Sequence, residues 1–204
     1  MNTLTTQQRI KKIASDWIPS LLLLTLLIVA RSTLADHYHV PSGSMENALM
    51  PGDRVLVNKA AYGLRIPFTK TVFALKSEPQ RGEVVILDSP ESDVRLIKRV
   101  VAVGGDRVEL ENGRLTINGK LLASPYDPFT EQFGERRIAL NLGAGGGPDI
   151  RDMTIPEGHV LLLGDHRGAS HDGRYFGTVA ATELYGRASR VFWRRQEGAT
   201  WQAL

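Results

Sequence analysis

Between Trp17 and Ala30 the chain is almost purely apolar, reading WIPSLLLLTLLIVA. Counted strictly this run is 14 residues, the length of a signal-peptide core, and Thr33-Leu34-Ala35 has the small-x-small form of a cleavage site. Carried through Arg31 to Ala35 it reaches 19 residues, enough to cross a bilayer as a helix. Arg31 then stands near the helix end, where its side chain can snorkel to the interface. The run by itself leaves the two readings level. Arg9, Lys11 and Lys12 precede it, so under both readings the N-terminus stays cytoplasmic and the rest of the chain is exported.

Past residue 36 the pattern turns to short runs of Val, Ile and Leu bounded by Gly, Pro and Asp. Asp53–Lys59, Gly82–Asp88, Val94–Val103, His159–Asp165 and Gly186–Arg195 read as strands. Asn112-Gly113 and Asn118-Gly119 are two hairpin-type turns within Asp106–Leu122, which predicts a β-meander. Residues 124–156, with GAGGGPD, read as a long loop or excursion. Tyr62–Leu75 is apolar and aromatic without clean alternation; it is either a loop packed on the core or an apolar surface dipping into a bilayer. The predicted class is mainly β, an antiparallel-sheet domain with few and short helices.

Composition narrows the chemistry. A net charge of +3 with scattered arginines leaves no nucleic-acid footprint, and it suits a domain resting near anionic lipid. The absence of cysteine excludes disulfides, thiolate metal sites and Cys nucleophiles. His166, His171, Asp165 and Asp172 match no metal-ligand spacing, and the glycines at 143 and 145–147 follow no strand-to-helix pattern that would cradle phosphate. No metal and no cofactor are expected.

Ser44 follows Ala35 by nine residues, so an extended chain keeps it within roughly 30 Å of the end of the apolar run. A serine hydroxyl needs a neighbouring base to become a nucleophile. His166 and His171 flank Ser170 and each has an adjacent Asp, but Ser44 stands in no G-x-S-x-G elbow. Lys98 is the other candidate. Strand alternation puts it on one face with Leu96 and Val100, where burial would lower its pKa from about 10.4 towards neutrality at about 4 kcal/mol.

Five blocks then stand in order: PSGSM, GDRVLVNKAAYGLRIP, RGEVVIL, LIKRVVAVGGDRVEL and GDHRGASHDGRYFG. From about Arg31 to Ala188 the chain closely resembles the bacterial type I signal peptidases, membrane-anchored serine proteases with a Ser/Lys dyad that remove signal peptides from exported preproteins. The resemblance implies Ser44 as nucleophile and Lys98 as base. It implies an oxyanion hole from the Ser42 hydroxyl and the Ser44 N–H, and Ser170 as the group that orients the lysine amine. Arg99, Asp165, Asp172 and Arg174 are expected to brace the site, and Met45 to touch substrate. Where the family commonly has Pro-Thr this chain has Asn47-Ala48, and its GDNRDNS block reads GDHRGAS, with His166, Gly168 and Ala169 as departures.

The resemblance also favours a retained anchor over a discarded export signal. The expected division is a cytoplasmic 1–16, a transmembrane anchor 17–35 and an extracytoplasmic peptidase domain 36–204, in the bacterial cytoplasmic membrane. The expected partners are preproteins with N-terminal signal peptides and membrane lipid, with no nucleic acid. Two rivals remain: a related Ser/Lys peptidase dedicated to one pilin or conjugation precursor, and a non-enzymatic, membrane-tethered peptide-binding β domain.

Overall fold

The computed structural model describes residues 6–66, 69, 71–74, 77–92 and 94–204. Helix α1 (Thr6–Thr33) runs almost directly into strand β1 (Ala35–His39), followed by β2 (Arg54–Asn58), the short pair β3 (Leu64–Arg65) and β4 (Val72–Ala74), β5 (Val84–Asp88) and β6 (Arg95–Val103). Strands β7 (Arg107–Glu111), β8 (Arg114–Ile117) and β9 (Lys120–Leu121) come next, then β10 (Ala123–Ser124), β11 (Asp127–Phe133), β12 (Arg136–Ala139) and β13 (Ile150–Thr154). The chain ends with β14 (His159–Leu163), the one-turn helix α2 (Gly173–Phe176), β15 (Val179–Ala180), β16 (Leu184–Arg194) and β17 (Gly198–Ala203).

The large sheet has the order β1-β2-β16-β5-β6-β14-β15, with β17 on β16, and all its pairings are antiparallel. This is the mainly β, antiparallel architecture read from the sequence. Strand β6 is buried on both faces from Ile97 to Ala102. Ile97 joins a core cluster with Val40, Met45, Leu49 and Val55, whereas Val100 joins another with Tyr62, Val85, Leu162 and Leu184. Lys98 lies between these two residues in the strand, opposite Val85.

The meander forms as predicted, because Asn112 and Gly113 (φ 50° and 78°) and Asn118 and Gly119 (φ 51° and 76°) take the left-handed conformations that two-residue hairpin turns require. The excursion at 124–156 is corrected: it holds the three-stranded sheet β10-β11-β12, and β13 returns to pair with β7. Thr130, Glu131 and Phe133 of β11 are buried, so the Gly- and Pro-containing flanks concealed a strand with a packed face.

At the N-terminus, α1 begins and ends earlier than the expected anchor, and Ala35 is already paired with Asn58. The joint is clamped by Lys59. Its backbone N–H donates to the Leu34 carbonyl (3.0 Å) and its ammonium to the Ser32 carbonyl. Trp17, Ile18, Leu21–Leu24 and Leu26–Ile28 contain large apolar side chains that are exposed. Among the described residues no helix is long and apolar enough to cross a membrane. The side chains of Arg9, Lys11, Lys12 and Arg31 lie outside what the structure describes, as do Pro67 and Leu75 of the apolar 62–75 stretch. In that stretch Tyr62 is buried and donates to Glu83 (2.9 Å), while Ile66 is exposed.

Candidate active site

Ser44 sits in a single 3-10 turn, Gly43–Met45, beside the core cluster that holds Met45 and Ile97. Met45 is fully buried there and plugs the turn into the core. The expectation that it touches substrate therefore meets a side chain with no exposed surface. The turn ends as Glu46 N–H donates to the Gly43 carbonyl (3.0 Å).

Lys98 reaches Ser44 from β6, with Nζ 2.8 Å from Oγ, and both residues are buried. As an ammonium the lysine donates across this contact; as a free amine it offers its lone pair to the hydroxyl proton. Burial is the main reason its pKa falls from 10.5 to about 8, and Arg174 adds to the fall while Asp172 and Asp165 oppose it. About a tenth of the molecules then hold the free amine at pH 7, some 300-fold more than an unshifted lysine would allow.

The expected bracing residues form two buried ion pairs. Arg99 grips Asp165 with Nε–Oδ1 and Nη2–Oδ2 contacts of 2.8 and 2.6 Å, and donates to the Gly82 carbonyl (2.7 Å). Asp172 caps α2 and accepts from Gly164 N–H (3.0 Å) and from Arg174 Nε and Nη2 (both 2.8 Å). Burial pushes the Asp172 carboxyl up, but the Arg174 hydrogen bonds and charge outweigh it and leave the pKa lowered.

Ser170 differs from expectation. Its Oγ is buried and, among the described residues, has no well-aligned hydrogen-bond partner, the Lys98 amine included, although its hydroxyl helps to lower the Asp172 pKa. The hydroxyl packs instead against Gly164, where a Cβ would collide with it and with the Ser44 carbonyl. Ser42 is exposed, in extended backbone (φ −141°, ψ 165°) just before the turn, and its side chain makes no capping hydrogen bond. The two histidines take no part in a triad: His166 Nδ1 faces Glu46, and the exposed His171 pairs with Glu91 and stacks on Tyr175.

Sequence reasoning missed a third buried ion pair, Arg167 with Glu131 (2.6 Å), both essentially without exposure. Arg167 also donates to the carbonyls of Gly113 (2.6 Å) and Gly164 (3.1 Å), tying the last motif block to the meander. Arg167 stands inside that block, which was the available signal; Glu131 sat in the stretch read as loop.

The site also borders an open strand edge. Strand β14 pairs only with Arg99–Val103 of β6, so residues 95–98 have β5 on one side and, among the described residues, no strand on the other.

A buried serine and a neutralisable lysine on an antiparallel scaffold can supply nucleophile and base without a histidine. The family model described as "Signal peptidase, peptidase S26" matches residues 14–193, and the chain belongs to that family. It is 38% identical over 168 residues to the signal peptidase I of Pseudomonas aeruginosa, covering 75% of this chain and 59% of that relative. It is 29% identical to the signal peptidase I of Bacillus amyloliquefaciens, covering 87% and 84% respectively. A crystal structure of a signal peptidase I from Enterococcus faecalis is 28% identical, with a TM-score of 0.40, over 55% of this chain and 98% of that one. The chain spans 59% of the length of the signal peptidase I of Pseudomonas aeruginosa and of that of Pseudomonas fluorescens.

Proposed function

We propose that this chain is a serine endopeptidase that removes N-terminal signal peptides from exported preproteins, with Ser44 as nucleophile and Lys98 as general base. The observation that carries this reading is the buried 2.8 Å contact between Lys98 Nζ and Ser44 Oγ. It lies within the reach a general base needs, and the lowered lysine pKa supplies the acceptor.

In this reading Ser44 Oγ attacks the scissile carbonyl as Lys98 takes its proton. The charge that develops on the carbonyl oxygen is met by the Ser44 N–H, in a first turn where helical amides lack internal partners, and by the exposed Ser42 hydroxyl. The lysine returns the proton to the leaving amine, then activates the water that hydrolyses the acyl-enzyme. Ser170 would orient the amine by turning its hydroxyl towards it, as acceptor from the ammonium or donor to the free amine. The open edge at residues 95–98 supports an extended substrate added as a strand ending beside Ser44.

We further propose that the run 17–35 serves as a single-pass anchor in the bacterial cytoplasmic membrane, with residues 36–204 outside, although among the described residues no helix by itself has the length and hydropathy of a spanning segment. Its exposed side chains from Trp17 to Ile28 are a larger apolar surface than water tolerates at low cost.

The full chain, incubated with a preprotein and followed by N-terminal sequencing of the product, tests the whole reading. Cleavage after a small-x-small motif is expected from the wild type and none from Ser44→Ala or Lys98→Ala. Normal processing by either variant sinks the dyad, and no product from the wild type sinks the function.

A further inference from the structure

The turn that presents Ser44 is held from outside by a group that includes one of the departures from the family pattern. His166 N–H donates to the Ser44 carbonyl (3.1 Å), and His166 Nδ1 lies 3.1 Å from Glu46 Oε2, two residues past the nucleophile. Among the described residues the buried Nδ1 has no aligned hydrogen-bond partner, and this close approach to Glu46 is its polar contact. Asn141 completes the group, donating from its side-chain amide to the same Glu46 oxygen (3.2 Å).

The far side of this group is rigid. Asn141 N–H donates to the Asp165 carbonyl (2.9 Å) and its own carbonyl accepts from Arg167 N–H (3.0 Å). Asp165 and Arg167 are themselves locked by Arg99 and Glu131. The near side is the nucleophile turn. The Glu46 side chain folds back along Gly43, where any Cβ would collide with its carboxylate. Asn47 then leaves the turn in the left-handed region (φ 81°), unfavourable for a residue other than glycine though best tolerated by Asn. Met45 pins one side of the turn by burial, and the polar group spans the other.

We infer that Glu46, His166 and Asn141 form a clasp that sets Ser44 against Lys98, with Glu46 and His166 as positioning residues for the reaction. The inference rests on the Ser/Lys reading of the site. Proton transfer tolerates donor–acceptor distances of about 2.6–3.2 Å, and a displacement of about 1 Å costs roughly a hundredfold in rate. A clasp two residues from Oγ therefore acts on kcat, while the open β6 edge that would bind substrate is untouched.

The test uses the full chain in detergent and a fluorogenic peptide with Ala at the first and third positions before the cut. Wild type, Glu46→Gln, His166→Ala and the double variant are compared across pH. Each single change is expected to lower kcat about tenfold with KM within about twofold, the double to fall no further than the worse single, and the pH midpoint to stay put. Unchanged kcat, multiplying losses, an effect confined to KM, or a moved midpoint would each overturn the clasp. Should His166→Ala lower the melting temperature, the isosteric Glu46→Gln decides alone. An inactive wild type defeats the Ser/Lys reading itself, whereas an active wild type with equally active variants defeats only the clasp.

Discussion

Lys98 carries two opposed consequences of the same burial. Because its amine must be free to accept a proton, kcat/KM should rise tenfold per pH unit below about 8 and level off above, as a pH series with a peptide substrate would show. Stability also rises with pH, but over a higher range. The folded chain releases the Lys98 proton near 8 and the unfolded chain near 10.5, so between these values the unfolded state binds more protons and stability rises with pH. Below about 8 the cost of burying the ammonium is present in full, on the order of 3 kcal/mol for a shift of this size. Lys98→Met should therefore abolish cleavage and yet raise the melting temperature at pH 7, with the gain shrinking towards pH 10.5. A variant no more stable than wild type in calorimetry at pH 7 would show that the charge is not confined as described. At this scale the sequence was informative where a motif names an atom's chemistry: Ser44 and Lys98 meet as the resemblance implied. It was silent on Glu46 and Glu131, since nothing in a glutamate's neighbours along the chain says which arginine or histidine will face it. For Ser170 the partner the resemblance implied is not engaged in this structure, and a hydroxyl's direction is set by packing that the sequence does not display.

Among the elements, the strands β2, β5, β6, β14 and β16 were legible because burial between sheet neighbours demands continuous Val, Ile and Leu runs. Strand β1 was hidden by its sequence ADHYH, whose polar residues suit an edge, and β11 by turn residues around it. Two changes probe how elements hold the site. Gly164→Ala, at the end of β14, would drive a Cβ into Ser170 Oγ and the Ser44 carbonyl. The expected result is a folded protein, by circular dichroism, with activity lowered by roughly a hundredfold; near-normal turnover would mean that the turn carrying Ser44 can shift freely. Arg167→Met strands the buried Glu131 carboxylate and should cost about 3–5 kcal/mol in denaturant unfolding, while adding Glu131→Leu should recover most of that loss.

For the whole molecule, the apolar run was visible in the sequence as a candidate anchor, but its end was not. Hydropathy drops at Arg31 and recovers at Leu34 and Ala35, which marks no single end, whereas the structure stops the helix at Thr33 and pairs Ala35 at once. Removal of residues 1–33 should release the chain from vesicles in a flotation assay, and retention of the truncated chain would locate membrane affinity in the β domain instead. The clamp of Lys59 on the Ser32 and Leu34 carbonyls leaves Leu34 alone between helix and sheet. On the proposed anchoring, a joint this short would act as a ruler: the height of Ser44 above the bilayer would be set by the helix, not by diffusion of a tethered domain. Lengthening the joint with a few Gly and Ser residues should leave cleavage of soluble peptides intact while blurring the choice among neighbouring bonds in a membrane-embedded precursor, because a slack ruler no longer measures.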